Sequence, residues 1–447
     1  MATSEPAHDA LSAIDTAWYR MEEAIDPVDI GALLILERPL ELQELCRVLD
    51  KRLLRLRRFR QRVIDSAIHL TAPHWEDDPD FSLRAHLHRV VLPAPGDKAA
   101  LEEMVSKLMS VPIDLSGPPW QMYLIEGVGE GSALFARFHH CMGDGFALAH
   151  LLLSVADESP HPDSSDKPRQ IAKSPDSPKK RGGTQLVDGA KKAGKVAASL
   201  GHLVMLPFDP HTVLRQPLEG RRRASWSRGI ALTWIKAIGR ARGGATVNDV
   251  LMTALTGSLR RYLIGRGEPV DALSIHAIVP VNLRPVRFIE EMGDDLGNRF
   301  GLVFATLPVK VASPHERMER VKAEMDRLKA SAEAFVAFGL LGVLGRSPTP
   351  LERAIRAIFA RKASIVATNV PGPRRALYLA GNRIVDVLFW VPHPARLGLG
   401  LSILSYDGCV RIGVRSDTAV VPDPHTLVEA FEDELDALAQ AFGLQRH

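Results

Sequence analysis

The sequence predicts a mixed α/β chain organised as two domains. Three observations carry that expectation. The chain has 447 residues, 46% of them apolar, which at about 100–200 residues per domain exceeds one domain and supplies two cores. Helical spacings alternate with short strand-like runs in both halves. A stretch rich in Ser, Pro and Lys separates those halves. The expected division is residues 1–157, a linker over 158–224, and a second domain over 225–447.

In the first half, Leu42, Leu45, Cys46, Leu49 and Leu53 recur at helical spacing, as do Leu101, Met104, Val105, Leu108 and Met109. Ile30 to Leu36 and Gln121 to Glu126 read as strands. Glu158 to Gly183 has no apolar period and reads as linker. Between Lys167 and Lys195, nine basic residues face two acidic ones, a local excess of seven. Arg221, Arg222 and Arg223 form a second basic cluster, with the semi-apolar stretch Val196 to Phe208 between the two. The region has two readings: a solvated linker, or a basic element that docks on anionic lipid.

The second domain is expected to begin near Ser225. Thr246-Val247-Asn248-Asp249 reads as a capping box ahead of Val250, Leu251, Ala254, Leu255 and Leu259. Strands follow at Ile275 to Leu283 and Phe300 to Val309. Ser313-Pro314 opens a helix, Ser364 to Val370 is strand-like, and Leu399 to Arg415 forms a hairpin turned at Asp407-Gly408. Asp423-Pro424 starts a terminal helix.

Charge and cysteine content narrow the function classes. Lys and Arg total 56 and Asp and Glu 53, a net +3 that argues against nucleic acid. Three scattered cysteines (Cys46, Cys141, Cys409) make neither a disulfide framework nor a cysteine zinc site, and fit a cytoplasmic protein. Met1 to Ala10 lacks the pattern of a secretory signal. The longest apolar run, Ala334 to Gly345, is shorter than the ~20 residues a spanning helix needs.

One segment stands apart: Ser132 to Leu153, which reads strand, tight turn, helix and carries His139-His140-Cys-Met-Gly-Asp144-Gly145. Strand alternation puts Leu134, Ala136, Phe138 and His140 on one face and Phe135, Arg137 and His139 on the other. His140 is expected on the more apolar side, where desolvation favours the neutral imidazole a general base needs. Gly143 and Gly145 suit a turn with close backbone approach. Asp144 occupies a helix N-cap position and is expected to lock the loop rather than move protons. Residue by residue, a structural His and an ordinary cap remain open readings, and the sequence offers no third cluster for a metal site.

The HHxxxDG string resembles the bacterial wax ester synthase/acyl-CoA:diacylglycerol acyltransferase family, within the CoA-dependent acyltransferases of chloramphenicol acetyltransferase-like fold. The similarity extends to Leu11-Ser-Ala-Ile-Asp-Thr-Ala-Trp18, Arg58 to Arg62, Pro112 to Trp120, Thr246 to Val250, Val279 to Arg284, Leu296-Gly-Asn298 and Thr368 to Pro373. Pro118-Pro119-Trp120 stands where the family commonly has Pro-Leu-Trp, and Pro27-Val28-Asp29-Ile30-Gly31 where Pro-Met-His-Val-Gly is usual. The resemblance implies two such domains with a substrate channel at their interface. It implies transfer of a long-chain acyl group from acyl-CoA to a fatty alcohol or diacylglycerol, with no cofactor and no metal. It places catalysis at His140, with His139, Asp144, Gly145 and Asn248 in support. Substrate or CoA binding falls to Asp249, Asn282, Arg284, Asn298, Thr368 and Asn369, the last five reading equally as domain-interface residues or as plain turn and interface hydrogen-bonding groups. Asn248 and Asp249 also read as plain helix-start residues. The expected partner surface is a membrane or lipid inclusion, visited peripherally from the cytoplasm. A condensation-like enzyme using a carrier-protein thioester and a non-catalytic lipid-surface protein are the rival readings.

Overall fold

The computed structural model describes residues 9–65, 72–161, 198–199, 201–241, 244–283, 296–347, 353, 357–358, 360–393 and 396–445. Arg284 and the basic run Lys167 to Lys195 therefore lie outside the described residues. In chain order the strands are β1 (Asp9–Ala10), β2 (Asp29–Leu36), β3 (Gln61–Ile64), β4 (His74–Asp77), β5 (Leu87–Val91), β6 (Trp120–Val128), β7 (Gly131–His139) and β8 (Arg222–Trp226). They continue with β9 (Ile230–Ala231), β10 (Ile275–Asn282), β11 (Phe300–Leu307), β12 (Ile365–Pro371), β13 (Tyr378–Leu379), β14 (Asn382–Trp390), β15 (Leu399–Tyr406) and β16 (Cys409–Asp417).

Two large sheets organise the molecule. The first runs β13-β14-β2-β7-β6-β5; the second runs β11-β10-β12-β15-β16-β8, with β9 also on β16. A small sheet, β1-β4-β3, sits beside the first. The chain does not simply finish one sheet before starting the next. The strands β13 and β14, from the last third of the sequence, return to the first sheet, where β14 pairs antiparallel with β2. The strand β8 straddles the expected boundary at 224/225, beginning in the stretch read as linker, and forms an edge of the second sheet by pairing with β16.

Local chemistry explains the elements. Asp97 caps the helix Lys98–Ser110 by accepting from the Ala100 amide at 2.9 Å. Thr246 and Asp249 make the reciprocal capping box of the helix Val247–Gly265. Asp407 (φ 44°) and Gly408 (φ 77°) take the left-handed conformations a two-residue hairpin turn requires between β15 and β16. The central strands β2, β7 and β15 are buried almost end to end, because each sheet is covered by helices or by the other half of the chain, whereas the edge strand β5 alternates between buried and exposed.

Charge also holds the halves together. Asp29 of β2 accepts from Arg137 Nε of β7 and from Arg415 Nη2 of β16, each at 2.8 Å, and all three are fully buried. Arg222, expected in an exposed basic cluster, is instead buried against Asp26 and Asp417. Arg223 pairs with Glu103 and Arg221 with Glu219 at 3.0 Å, both at the surface, so only Arg222 of the triplet is withdrawn into the interior. Burying a guanidinium is tolerable only with such partners in place.

Candidate active site

The loop after β7 is fixed from several sides. Every residue of β7 is buried. The strand stops at His139, and His140–Met142 form one tight helical turn, so the alternation expected to carry through His140 ends one residue earlier. Cys141 and Met142 fill the apolar core beside Leu134, Ala136 and Phe138, while His140 swings to a separate aromatic cluster. The His140 amide donates to the Val28 carbonyl at 3.0 Å, and its carbonyl accepts from Asn298 Nδ2 at 2.7 Å. The His139 ring accepts the Cys141 amide at Nδ1 (3.2 Å) and turns Nε2 toward Glu22, 3.4 Å away.

A Cβ at Gly143 would lie 2.5 Å from the Leu296 carbonyl, so close backbone approach demands glycine there. At Gly145 a Cβ would meet Val391 at an ordinary 3.6 Å. Asp144 caps the helix Gly145–Ser154: Oδ1 accepts the Ala147 amide at 2.8 Å, and Oδ2 accepts the Arg299 amide at 3.2 Å. One carboxylate thus ties the motif loop to the approach to β11.

The His140 imidazole stacks on Trp18, with ring centroids 3.9 Å apart and planes 11° from parallel, and lies 5.6 Å from Phe300. Burial pushes its pKa down to about 3, so the ring is neutral at any physiological pH. Its Nδ1 and the Trp18 indole N–H are both buried with no hydrogen-bond partner among the described residues. Trp18 belongs to the helix Ala13–Arg20, which also carries Asp15. Asp15 Oδ1 accepts from Asn298 Nδ2 at 2.7 Å and from its amide at 3.1 Å, and Oδ2 accepts from Ser12 at 2.7 Å. Asn298 therefore bridges Asp15 and the His140 backbone. Burial raises the pKa of Asp15, opposed by those hydrogen bonds.

This ring borders a cavity of about 790 Å³, counting space open to solvent, between the two sheets. Phe389 comes from the first sheet; Ile278, Pro280, Leu302 and Val366 come from the second. The walls are mostly apolar. Polar groups converge at few points: His140, Asp144, Asn282, Thr368 and Asn369. A neutral base in an apolar slot can accept a proton where bulk water is excluded.

Of the residues singled out from sequence, the structure gathers His140, Asp144, Gly145, Asn282, Thr368 and Asn369 around the cavity. His139 and Asn298 brace the loop from behind. Asn248 stands outside the lining and accepts from Asn369 Nδ2 at 3.2 Å. Asp249 is fully buried in its capping box, away from the cavity. Sequence reasoning assigned no role to Trp18, Asp15, Phe300 or Leu302. For the first two, Ser12-x-x-Asp15 as a helix start with Trp18 one turn on was the available signal.

Comparison with known proteins decides the family. Residues 11–251 match the wax ester synthase/diacylglycerol acyltransferase catalytic domain, and residues 296–439 the C-terminal domain of the same family. The chain belongs to the wax ester synthase/diacylglycerol acyltransferase family. It is an acyltransferase. It is 31% identical, over 96% of its length and 95% of the relative's, to a protein of Mycobacterium tuberculosis named as a probable diacylglycerol O-acyltransferase. A wax ester synthase/diacylglycerol acyltransferase from Marinobacter aquaeolei VT8 shares its fold at a TM-score of 0.71 and 23% identity, covering 98% of this chain and all of that one. The first condensation domain of the calcium-dependent antibiotic synthetase is similar in fold at 0.62 and 15% identity, covering 98% and 97%. The acyltransferase thus has the two-domain, chloramphenicol acetyltransferase-like fold expected of it.

Proposed function

We propose that the acyltransferase moves a long-chain acyl group from acyl-CoA to the hydroxyl of a fatty alcohol or diacylglycerol, with His140 as general base. The observation that carries this is a buried, neutral imidazole stacked on Trp18 beside an apolar cavity between the sheets. His140 takes the hydroxyl proton, and the oxygen attacks the thioester carbonyl. The tetrahedral oxyanion collapses, and CoA leaves as a thiolate that takes the proton back from the imidazolium. No acyl-enzyme and no cofactor enter the scheme. At rest the ring resists a second proton; negative charge developing on the substrate oxygen raises its proton affinity as transfer occurs.

In this reading Asn282, Thr368 and Asn369 meet the polar parts of the substrates, with Asn248 reaching them through Asn369. Asp144 and Asn298 hold the loop. Among the described residues no helix is long and apolar enough to cross a membrane, and the reading has the protein collect its apolar substrates at a lipid surface. The test is His140→Ala assayed with a long-chain acyl-CoA against a panel of alcohols and diacylglycerol. The variant keeps the wild-type melting profile and loses ~10²–10⁴-fold in rate. Full activity in that variant sinks the mechanism, and a wild type that needs a carrier-protein thioester instead of acyl-CoA sinks the substrate assignment.

A further inference from the structure

A surface helix of this protein is apolar on every side. The helix Glu333–Leu344 has no polar side chain after Glu333. Its inner face is accounted for: Phe338 and Leu341 pack with Trp18 and Phe300, which line the cavity, and Val336 and Leu340 pack with Leu203 and Phe304. Its outer face is Phe335, Gly339 and Val343, spaced one turn apart, with Phe335 65% and Val343 57% exposed. Beside it, residues 201–205 expose Val204 and Met205, the latter 80%. The two pieces are bound together: the Ala332 amide donates to Ser199 Oγ at 3.1 Å. Lys362 Nζ holds the carbonyls of Leu203, Val204 and Leu206 at 2.7–3.0 Å.

The exposed charges carried by the described residues of these segments have one sign. Among the described residues of 199–209, 333–347 and 357–363, the only carboxylates are Asp209 and Glu333. Both are buried: Asp209 accepts from Ser364 and contacts His276, and Glu333 pairs with Arg327 and His202. Arg346 and Arg361 are exposed. An apolar stripe whose own described segments expose Arg346 and Arg361 and no carboxylate matches the acyl chains and phosphates of an anionic phospholipid layer. Twelve residues at about 1.5 Å each cannot span a bilayer, so the helix suits lying in its interface.

We propose that this face docks on an anionic phospholipid surface. Phe335, Val343, Val204 and Met205 enter the acyl region, and Arg346 and Arg361 meet the phosphates. The helix rests on Trp18 and Phe300, so docking brings the acyl-transfer cavity to the layer in which an alcohol or diacylglycerol dissolves. The proposal rests on the lipid acceptor argued above.

Flotation with phosphatidylcholine vesicles, with and without phosphatidylglycerol, tests it. The expected result is binding that strengthens with phosphatidylglycerol and weakens about tenfold in F335Q/V343Q. In R346Q/R361Q the dependence on phosphatidylglycerol and on salt flattens. In every variant, activity on short-chain alcohols dispersed in detergent stays at the wild-type level, while the rate on vesicle-borne acceptor falls with binding. Unchanged vesicle binding in F335Q/V343Q overturns the proposal, as does a wild-type dimer that these substitutions dissociate. A wild type that binds no vesicle also overturns it, yet leaves the acyl-transfer reading standing on its dispersed-substrate activity. Loss of that activity in the wild type would remove the reading itself.

Discussion

Trp18 lies flat on His140 at 3.9 Å and keeps one face of the imidazole from water. Burial holds the pKa of that ring at about 3, and a general base works only when neutral, so activity is retained as pH falls until the ring protonates. The wild-type pH profile of kcat/KM is therefore expected to show no acid limb from His140 above about pH 5. In Trp18→Ala, water reaches the ring and its pKa moves up toward the ordinary 6.5. An acid limb then appears near neutrality, read directly from the profile; a Trp18 that only fills space would lower the rate without moving it. Asp144→Ala removes a helix cap and the tie to the Arg299 amide. It is expected to cost about 1 kcal/mol in thermal stability together with a loss of activity. A kinetic defect with an unchanged melt would contradict the locking role.

The strand β2 connects this loop to the rest of the fold. Its register sets Asp29 opposite His139, and the residue before it, Val28, accepts the His140 amide. Asp29 in turn receives Arg137 from its own sheet and Arg415 from the other. Asp29→Ala strands two buried guanidiniums, and denaturant unfolding is expected to show a loss of about 3–5 kcal/mol. Because the same strand end anchors His140, the activity remaining below the unfolding transition falls as well. None of this pairing has a local sequence signature: Asp29 of β2 and Arg415 of β16 lie 386 positions apart in the chain.

The two halves meet over buried charge as well as apolar surface. His393 is buried among Arg222, Arg415 and Asp26, and burial followed by the two guanidiniums pushes its pKa well down. Unfolded, a histidine binds its proton near 6.5; folded, this one does not. Stability is then fully present above about pH 6.5 and lost as pH falls below it, at about 1.4 kcal/mol per pH unit. Buried His140 adds to the wild-type slope in the same direction, so equilibrium unfolding between pH 5 and 8 is expected to show a slope below pH 6.5 that is shallower in His393→Leu than in the wild type by about that amount. Equal slopes would mean that His393 takes up its proton without unfolding. Such coupling between halves fits a site made at their contact, where rigid placement of each sheet sets the width of the cavity.

Local chemistry was legible in the order of residues. The strand-turn-helix around His140, the Asp144 cap, the Thr246–Asp249 box and the Asp407-Gly408 turn each depend on neighbours within about four positions, and periodicity or capping reports those. What chain order could not convey was which distant surfaces meet. The stack of Trp18 on His140, the bridge of Asn298 to Asp15, the return of β14 to the first sheet and the burial of Arg222 join residues more than a hundred positions apart. A mixed α/β chain in two halves was therefore foreseeable from composition and spacing. The depth at which His140 is buried was settled only by how the two sheets close on each other, because desolvation depends on every atom that displaces water.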